Sequence, residues 1–300
     1  MWGWRDGHGM DDKSVYNVRN IYIALCLMIC ILISVMQNYI VEEYSALPAG
    51  DYTITGDRFR TMDFGENGIA SIFEYSNEIN MDPYELMVVL MIDNKFDLQS
   101  VDIHSYSKTE LIRFRNKIIR KYPNEFAQFK DSYQSIFSNL SYFPVPKSTT
   151  TRKWINYVDS WGNSRTYGGE RTHEGTDIMA LENTRGIYPI LSVTSGTIAN
   201  IGWLEQGGYR IGILAPNGAY LYYAHMASYA PGIKEGDLIV AGQLLGYMGD
   251  TGYSVVEGTT GKFDVHLHFG IYLNETTDEI SINPYWILKY LENKTLYYSY

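Results

Sequence analysis

Apolar and polar positions fall into three regimes along the chain, and each predicts a different kind of element. From Ile21 to Met36 the sequence IYIALCLMICILISVM is continuously apolar and uncharged, and Val18, Tyr39, Ile40 and Val41 extend it toward the ~20 residues that cross a bilayer. Between about residues 66 and 140 the apolar positions recur at helical spacing. Asp82-Pro83-Tyr84-Glu85 places a capping residue, a proline at the first helical position and a capping-box glutamate ahead of LMVVLMI, so a helix is predicted to start at Pro83. Ser107 with Glu110 repeats the signal ahead of Leu111, Ile112, Phe114, Ile118 and Ile119, and Phe126, Phe129, Tyr133, Ile136 and Phe137 continue the spacing. Three or four helices are expected there.

The third regime is short apolar runs separated by turn signals, commonly about every eight to twelve residues. The runs are Ile187 to Val193, Thr197 to Ile201, Tyr209 to Leu214, Tyr220 to His225, Asp237 to Val240, Gln243 to Met248 and His266 to Leu273. Turns are marked by Ser195-Gly196, Gln206-Gly207-Gly208, Pro216-Asn217-Gly218, Glu235-Gly236-Asp237 and Asp250-Thr251-Gly252. This pattern predicts a compact all-β domain. Glycine divides the chain the same way: none lies between Gly68 and Gly162, and 20 of the 27 lie from Gly162 to Gly270, so the two halves must be built differently.

Arg5, Lys13 and Arg19 precede the long apolar run, and the next basic residues are Arg58 and Arg60, which orients the N-terminus to the cytoplasm and the remainder outside. A cleaved signal peptide would carry an apolar core of only about 7 to 15 residues and a small-x-small site, which Ser34-Val35-Met36 fits poorly. The expected organisation is therefore a cytoplasmic tail (1–20), a transmembrane signal anchor (21–40), a stalk (41–65) containing Pro48, Gly50 and Gly56, a helical module (66–147) and a β domain (148–300). Pro144, Pro146 and Ser148-Thr149-Thr150-Thr151 mark a linker at the last boundary.

Composition narrows the chemistry. With 45% hydrophobic and 19% charged residues the 300-residue chain is globular, and 24 Lys plus Arg against 34 Asp plus Glu gives a net charge of −10. No general attraction to nucleic acid or anionic lipid headgroups follows from such a balance, and no nucleic-acid partner is expected. The only cysteines, Cys26 and Cys30, sit inside the apolar run as fillers, so no thiol is available beyond residue 30. Any metal or catalytic site must use His, Asp or Glu, and four of the six histidines lie between residues 173 and 268.

Those four carry a specific pattern. His266-Leu267-His268 lies in a predicted strand, whose alternation puts both imidazoles on one face roughly 6 to 7 Å apart and Val265, Leu267 and Phe269 on the other. Alone, this pair reads as the polar face of a surface strand. His173-Glu174-Gly175-Thr176-Asp177 adds an imidazole and a carboxylate four residues apart. Zinc takes nitrogen and oxygen ligands in a tetrahedral shell, three from the protein and one position left open in catalytic sites, so His173, Asp177 and one histidine of the pair would suffice. Gly175 weakens any helix there, so Glu174 does not inherit the base role of helical HExxH sites. His225 closes the strand from Tyr220, where alternation groups it with Leu221 and Tyr223. His225 and the remaining histidine of the pair are then free for general-base and transition-state hydrogen-bonding roles.

Trp161-Gly162-Asn163 through Arg171-Thr172-His173-Glu174-Gly175-Thr176-Asp177, then Tyr223-Ala224-His225-Met226, Gly236-Asp237 through Ala241-Gly242-Gln243-Leu244-Leu245-Gly246, Gly249-Asp250-Thr251-Gly252 and His266-Leu267-His268-Phe269 together resemble the lysostaphin-type (LytM-like) zinc endopeptidases of bacterial cell walls. The resemblance spans about residues 154 to 287. It implies an antiparallel, barrel-sandwich-like β-sheet with a groove floored by the site, one Zn2+ per chain held by His173, Asp177 and His268, and His225 with His266 as the catalytic pair. It further implies peptidoglycan peptides as substrate, with the catalytic domain outside a bacterial membrane crossed once by residues 21–40. The helical module would be a spacer, an autoinhibitor or a dock for a protein partner. A catalytically silent or latent wall-binding protein of the same fold is the alternative.

Three departures from the family pattern stand out. Gly207-Gly208-Tyr209-Arg210 replaces the Gly-Asn that often precedes a central strand, Ser254 to Val265 is longer than the usual link before HLH, and Gly270 stands where an acidic residue is common. The first bears on substrate preference. The hairpin from Gly236-Asp237 to Gly246 also looks like that of biotinyl and lipoyl carriers, but it offers no apolar-flanked lysine at its tip.

Overall fold

The structure is a computed structural model and describes residues 12–44, 53–167, 169–275 and 278–300. The expected tail over 1–11 and the expected stalk over 45–52 lie outside the described residues. Two units are distinguished, Met1–Ala49 and Gly50–Tyr300. The first contains one helix, α1 (Asp12–Tyr44), with a window Asn20–Gln37 that is long and apolar enough to cross a membrane and has no buried side chain.

The second unit begins with four-residue α2 (Asp57–Arg60), followed by α3 (Gly68–Ile79), α4 (Pro83–Asp93), α5 (Lys108–Lys121) and α6 (Pro123–Phe137). Local chemistry sets the starts. The Asp82 carboxylate accepts from the amides of Tyr84 and Glu85, both at 2.9 Å, and Ser107 with Glu110 forms a reciprocal capping box. Helix α4 is apolar all round and fully enclosed from Leu86 to Ile92, which makes it the centre of the helical layer.

Residues 53–65, expected as part of a stalk, belong instead to this layer. Phe59, Met62 and Phe64 are buried, with the Phe59 ring 5.4 Å from Phe129 and 5.3 Å from Tyr133. Pro48, Gly50 and Gly56 had suggested an exposed segment, but three large apolar side chains in six residues gain more from burial than a short loop loses in entropy. Phe59→Ala is accordingly expected to destabilise the protein by about 3–5 kcal/mol, as a buried aromatic does, whereas a stalk residue would cost under ~0.5. Denaturant unfolding of the wild type beside the variant measures the difference.

The strands are β1 (Lys147–Ser148), β2 (Ile155–Asn156), β3 (Ser164–Arg165), β4 (Arg171–Thr172), β5 (Thr176–Ala180), β6 (Pro189–Leu191), β7 (Gly196–Leu204), β8 (Gly208–Leu214), β9 (Tyr220–Tyr229), β10 (Leu238–Ile239), β11 (Leu244–Met248), β12 (His266–Glu275), β13 (Asp278–Ile282) and β14 (Tyr297–Tyr298). The main sheet is antiparallel in the order β10-β7-β8-β9-β12-β5-β2, with β13 on β12 and β11 joining β9 to β6. Strand β12 alternates as the sequence predicts, and β8 and β9 do so in part. Leu267, Phe269, Ile271, Ile211, Ile213, Leu221 and Tyr223 are buried on the core face, and the opposite face of the same strands forms a groove.

Two elements lie outside the expected pattern. The C-terminal region contains a helix, α7 (Tyr285–Leu291), which buries Ile287, Leu288 and Leu291 within an otherwise all-β region. The expected linker over 141–153 is held in place: Leu191 N–H donates to the Pro144 carbonyl at 2.8 Å, and β1 pairs in parallel with β14. Helices and sheet meet through named contacts. Asn283 N–H donates to Arg60 O at 2.7 Å, Trp286 Nε1 donates to Asp63 Oδ1 at 3.3 Å, and Phe73 stacks on Tyr290 at 6.0 Å.

Candidate active site

Strand β12 lies between β5 and β9, and its register sets the site. His268 stands directly opposite Asp177 on one side and Ala224 on the other. The hairpin β3–β4 delivers His173 to the end of β5, tied by His173 N–H donating to Asn163 O at 2.8 Å. Gly175 permits this approach, because a Cβ there would lie 2.6 Å from His268 Cε1 and from the Phe269 carbonyl oxygen. The glycine that argued against a helix in this segment is thus required by packing.

His173 Nε2, Asp177 Oδ1 and His268 Nδ1 converge, with separations of 3.0, 3.0 and 2.9 Å. Three contacts cannot all be hydrogen bonds. The His173 Nδ1 faces the Ser160 carbonyl at 2.9 Å, and a carbonyl only accepts, so Nδ1 carries the proton and Nε2 a lone pair. Asp177 is an acceptor, which leaves His268 Nδ1 to supply at most one proton for the triangle. In the tautomer that leaves His268 Nδ1 unprotonated, three lone pairs aim at one point and suit a cation, and the edges are a few tenths of an ångström shorter than the ~3.3 Å of a tetrahedral shell with bonds of about 2.0–2.1 Å. The residues therefore fit zinc. Among the described residues this is the single group of three or more such side chains with that spacing.

Asp177 is held on both oxygens, since Arg165 Nη2 from β3 donates to Oδ2 at 2.8 Å. Burial alone would raise the Asp177 pKa, but hydrogen bonding with His173 and His268 and the electrostatic pull of His268 and His266 outweigh it and hold the carboxyl well below its ordinary range. His268 is lowered by burial, against the opposing pull of Asp177.

His225 and His266 stand beside the triangle with ring centroids 4.7 Å apart. Their Nδ1 atoms face the carbonyls of Thr251 at 2.8 Å and Asp264 at 2.7 Å, so both are Nδ1–H tautomers with Nε2 lone pairs. His266 Nε2 lies 3.7 Å from Asp177 Oδ1. Burial, reinforced by the neighbouring imidazoles His266 and His268, pushes His225 well below the ordinary imidazole value.

The placement of His225 corrects the strand alternation, which would have turned it into the core with Leu221 and Tyr223. Instead His225 adopts φ +60° where β9 carries an extra residue: Tyr209 and Ile211 of β8 pair with Met226 and Tyr223. The bulge puts Ala224 and His225 consecutively on the groove face. Strain of this kind, about 1–3 kcal/mol for a non-glycine residue, persists where tertiary contacts fix it, here His225 N–H donating to Gly207 O at 2.8 Å.

The groove holds about 600 Å³ and includes all five predicted residues, His173, Asp177, His225, His266 and His268. Three neighbours escaped the sequence reading, Arg165, Tyr253 and Phe263, and Arg210 entered it only as part of a departure from the family pattern. The Phe263 ring lies 4.6 Å from His225 and 5.0 Å from His266, and Tyr253 packs 4.9 Å from Phe263 and stacks 4.3 Å over Tyr167. The extra length of 254–265 was visible, but no spacing rule links Phe263 to His225 across β9 and β12.

Comparison with known proteins agrees with this geometry. Residues 171–284 match Peptidase family M23. The L-Ala–D-Glu endopeptidase of Bacillus subtilis (strain 168) is 39% identical over 162 residues, covering 54% of this chain and 47% of that protein, and lysostaphin of Staphylococcus simulans is 32% identical over 119 residues, 39% of this chain and 21% of that protein. The chain thus spans about half, or less, of the length of these curated relatives. The crystal structure of a candidate glycyl-glycine endopeptidase, lytM, from Ruminococcus gnavus ATCC 29149 superposes with a TM-score of 0.69 at 42% identity, covering 82% of this chain and 95% of that one. Residues 148–300 alone could not supply that coverage, so the likeness extends into the helical layer. On that near-complete match and the family match over the site-bearing strands, the chain belongs to peptidase family M23.

Proposed function

We propose that this chain is a membrane-anchored zinc endopeptidase that hydrolyses peptide bonds of bacterial peptidoglycan. One observation carries the reading: three lone-pair atoms within 3.0 Å of one another, beside two imidazoles whose tautomers leave Nε2 free toward the same groove. A peptidoglycan peptide as substrate is supported by relatives named L-Ala–D-Glu endopeptidase and glycyl-glycine endopeptidase. Helix α1 supports an anchor through residues 21–40, with 1–20 in the cytoplasm and residues 148–300 as the catalytic region outside a bacterial membrane.

His173, Asp177 and His268 would hold one zinc ion, which when bound polarises a scissile carbonyl and eases deprotonation of water. Arg165 fixes Oδ2 of Asp177 and so leaves Oδ1 for that role. Of His225 and His266, one takes the proton of the attacking water at Nε2, and the other hydrogen-bonds the oxygen that gains negative charge. Tyr253 and Phe263 enclose this pair and limit water around it.

The reading is tested by incubating the purified 300-residue chain, in detergent, with insoluble peptidoglycan. Expected are about one zinc per chain and release of soluble muropeptides that stops on chelation and returns with added zinc. Zinc without release from any peptidoglycan chemotype would favour the silent wall-binding alternative, and a chain that binds no zinc would remove the metal centre altogether.

A further inference from the structure

Almost every charge in the groove is matched. Arg165 is spent on Asp177, Arg171 donates through Nε to the Tyr167 carbonyl at 3.2 Å and through Nη2 to the Tyr253 hydroxyl at 3.3 Å, and Glu174 faces Arg60 at 3.8 Å. Arg210 and, among the acids, Glu279 are the exceptions. The Arg210 Nη1 is sealed from solvent with no hydrogen-bond partner, and among the described residues no carboxylate forms an ion pair with it. An enclosed guanidinium N–H without an acceptor is costly, and Arg210 also lines the open groove, so an acceptor entering there can meet the guanidinium fork.

The strand geometry says where that acceptor would sit. Arg210 and Gly212 of β8 face the groove while Ile211 and Ile213 are buried on the core face. Gly212 has to be bare, because the Tyr220 hydroxyl lies where its side chain would begin. Tyr220 and Tyr222 of β9 line the groove between β8 and β12. Arg210 is therefore two strands from His268, about 10 Å at ~4.8 Å per strand. An extended peptide advances about 3.3–3.6 Å per residue, so a substrate group on Arg210 would lie within about three residues of a carbonyl at His268.

We infer that Arg210 is a specificity-determining residue that binds a substrate carboxylate within about three residues of the scissile bond, so that the enzyme takes acidic stem-type peptides and not uncharged glycine cross-bridges. The guanidinium fork matches a carboxylate in shape and charge. Glu279 lines the same groove without pairing to any described cation, which favours a singly charged acceptor over a phosphate. This inference rests on the endopeptidase reading above and selects between the two bond types its relatives are named for, L-Ala–D-Glu and glycyl-glycine.

The test uses the full chain in detergent and three probes: a peptide containing L-Ala–D-Glu with its free glutamate carboxylate, the same peptide with that group converted to carboxamide, and pentaglycine. Wild type should prefer the carboxylate by about 10- to 100-fold in kcat/KM, the discrimination expected of a charge-assisted contact. Arg210→Gln should bring the ratio near one by losing rate on the carboxylate peptide alone, and Arg210→Lys should keep part of it. Equal rates in wild type, an equal loss on both peptides in Arg210→Gln, or preference for pentaglycine would overturn the assignment. Equilibrium binding of the two L-Ala peptides to the His225→Ala chain reads the same ratio without turnover. Selective binding without cleavage by wild type would leave the Arg210 assignment standing and remove the peptidase reading; equal or absent binding would remove the assignment.

Discussion

His268→Ala is expected to abolish both zinc binding and peptidoglycan release, with activity falling at least ~10³-fold and metal content dropping from about one per chain to near zero. The reason is geometric. His268 supplies one corner of a triangle whose other corners, His173 Nε2 and Asp177 Oδ1, are 3.0 and 2.9 Å away, and two ligands do not close a zinc shell. The stabilisation that a bound ion confers should vanish too: at a free zinc concentration of about 100 Kd the wild type gains roughly 2.7 kcal/mol, and the variant none. Metal analysis, release kinetics and thermal unfolding with and without zinc report these effects separately. A variant that lost activity while keeping a full zinc complement would show that His268 is not a ligand.

His225→Ala and His266→Ala are expected to do the opposite, keeping zinc while kcat falls about 10²- to 10⁴-fold, the range for loss of a general acid or base. The double variant should fall little further, because the two imidazoles act on one proton path. His225 sits at φ +60°, so alanine there adds backbone strain of about 1 kcal/mol that has nothing to do with catalysis. Asparagine tolerates the left-handed region, and His225→Asn should therefore retain wild-type stability and still lose activity. The pH profile gives a further check. Burial and the adjacent imidazoles lower the His225 pKa, which favours the neutral base, so wild-type kcat/KM should persist as pH falls through the ordinary imidazole midpoint near 6.5 and decline only below it. An acid limb centred at or above 6.5 would assign the base elsewhere.

Much of this site was legible before any coordinates. Alternation in His266-Leu267-His268 correctly separated the groove face from a core face of Val265, Leu267 and Phe269, because a strand buried on one side can hold only one register. Helix starts at Pro83 and Lys108 were legible because capping is chemistry between neighbours in sequence. The same rule of alternation failed at His225, where a bulge in β9 reverses the face of a single residue. Composition likewise made residues 53–65 look like a tether, whereas Phe59 and Phe64 find partners on α6, some 70 residues further along the chain.

The sequence by itself narrowed which residues could act: with no cysteine past residue 30 and six histidines, HxxxD, the lone YAH histidine and HLH stood out as the motif-bearing candidates. It also determined the kinds of element that carry them, since hydrophobic period and capping are local properties. Tertiary structure decided the rest. Pairing of β12 with β5 put His268 opposite Asp177, the β3–β4 hairpin brought Arg165 onto its second oxygen, and β8 left Arg210 at the groove with its Nη1 unpartnered among the described residues. Those contacts join residues 12 to 95 positions apart or depend on what is missing nearby, and neither distance across a sheet nor an unmet hydrogen bond has any signature in the order of the chain.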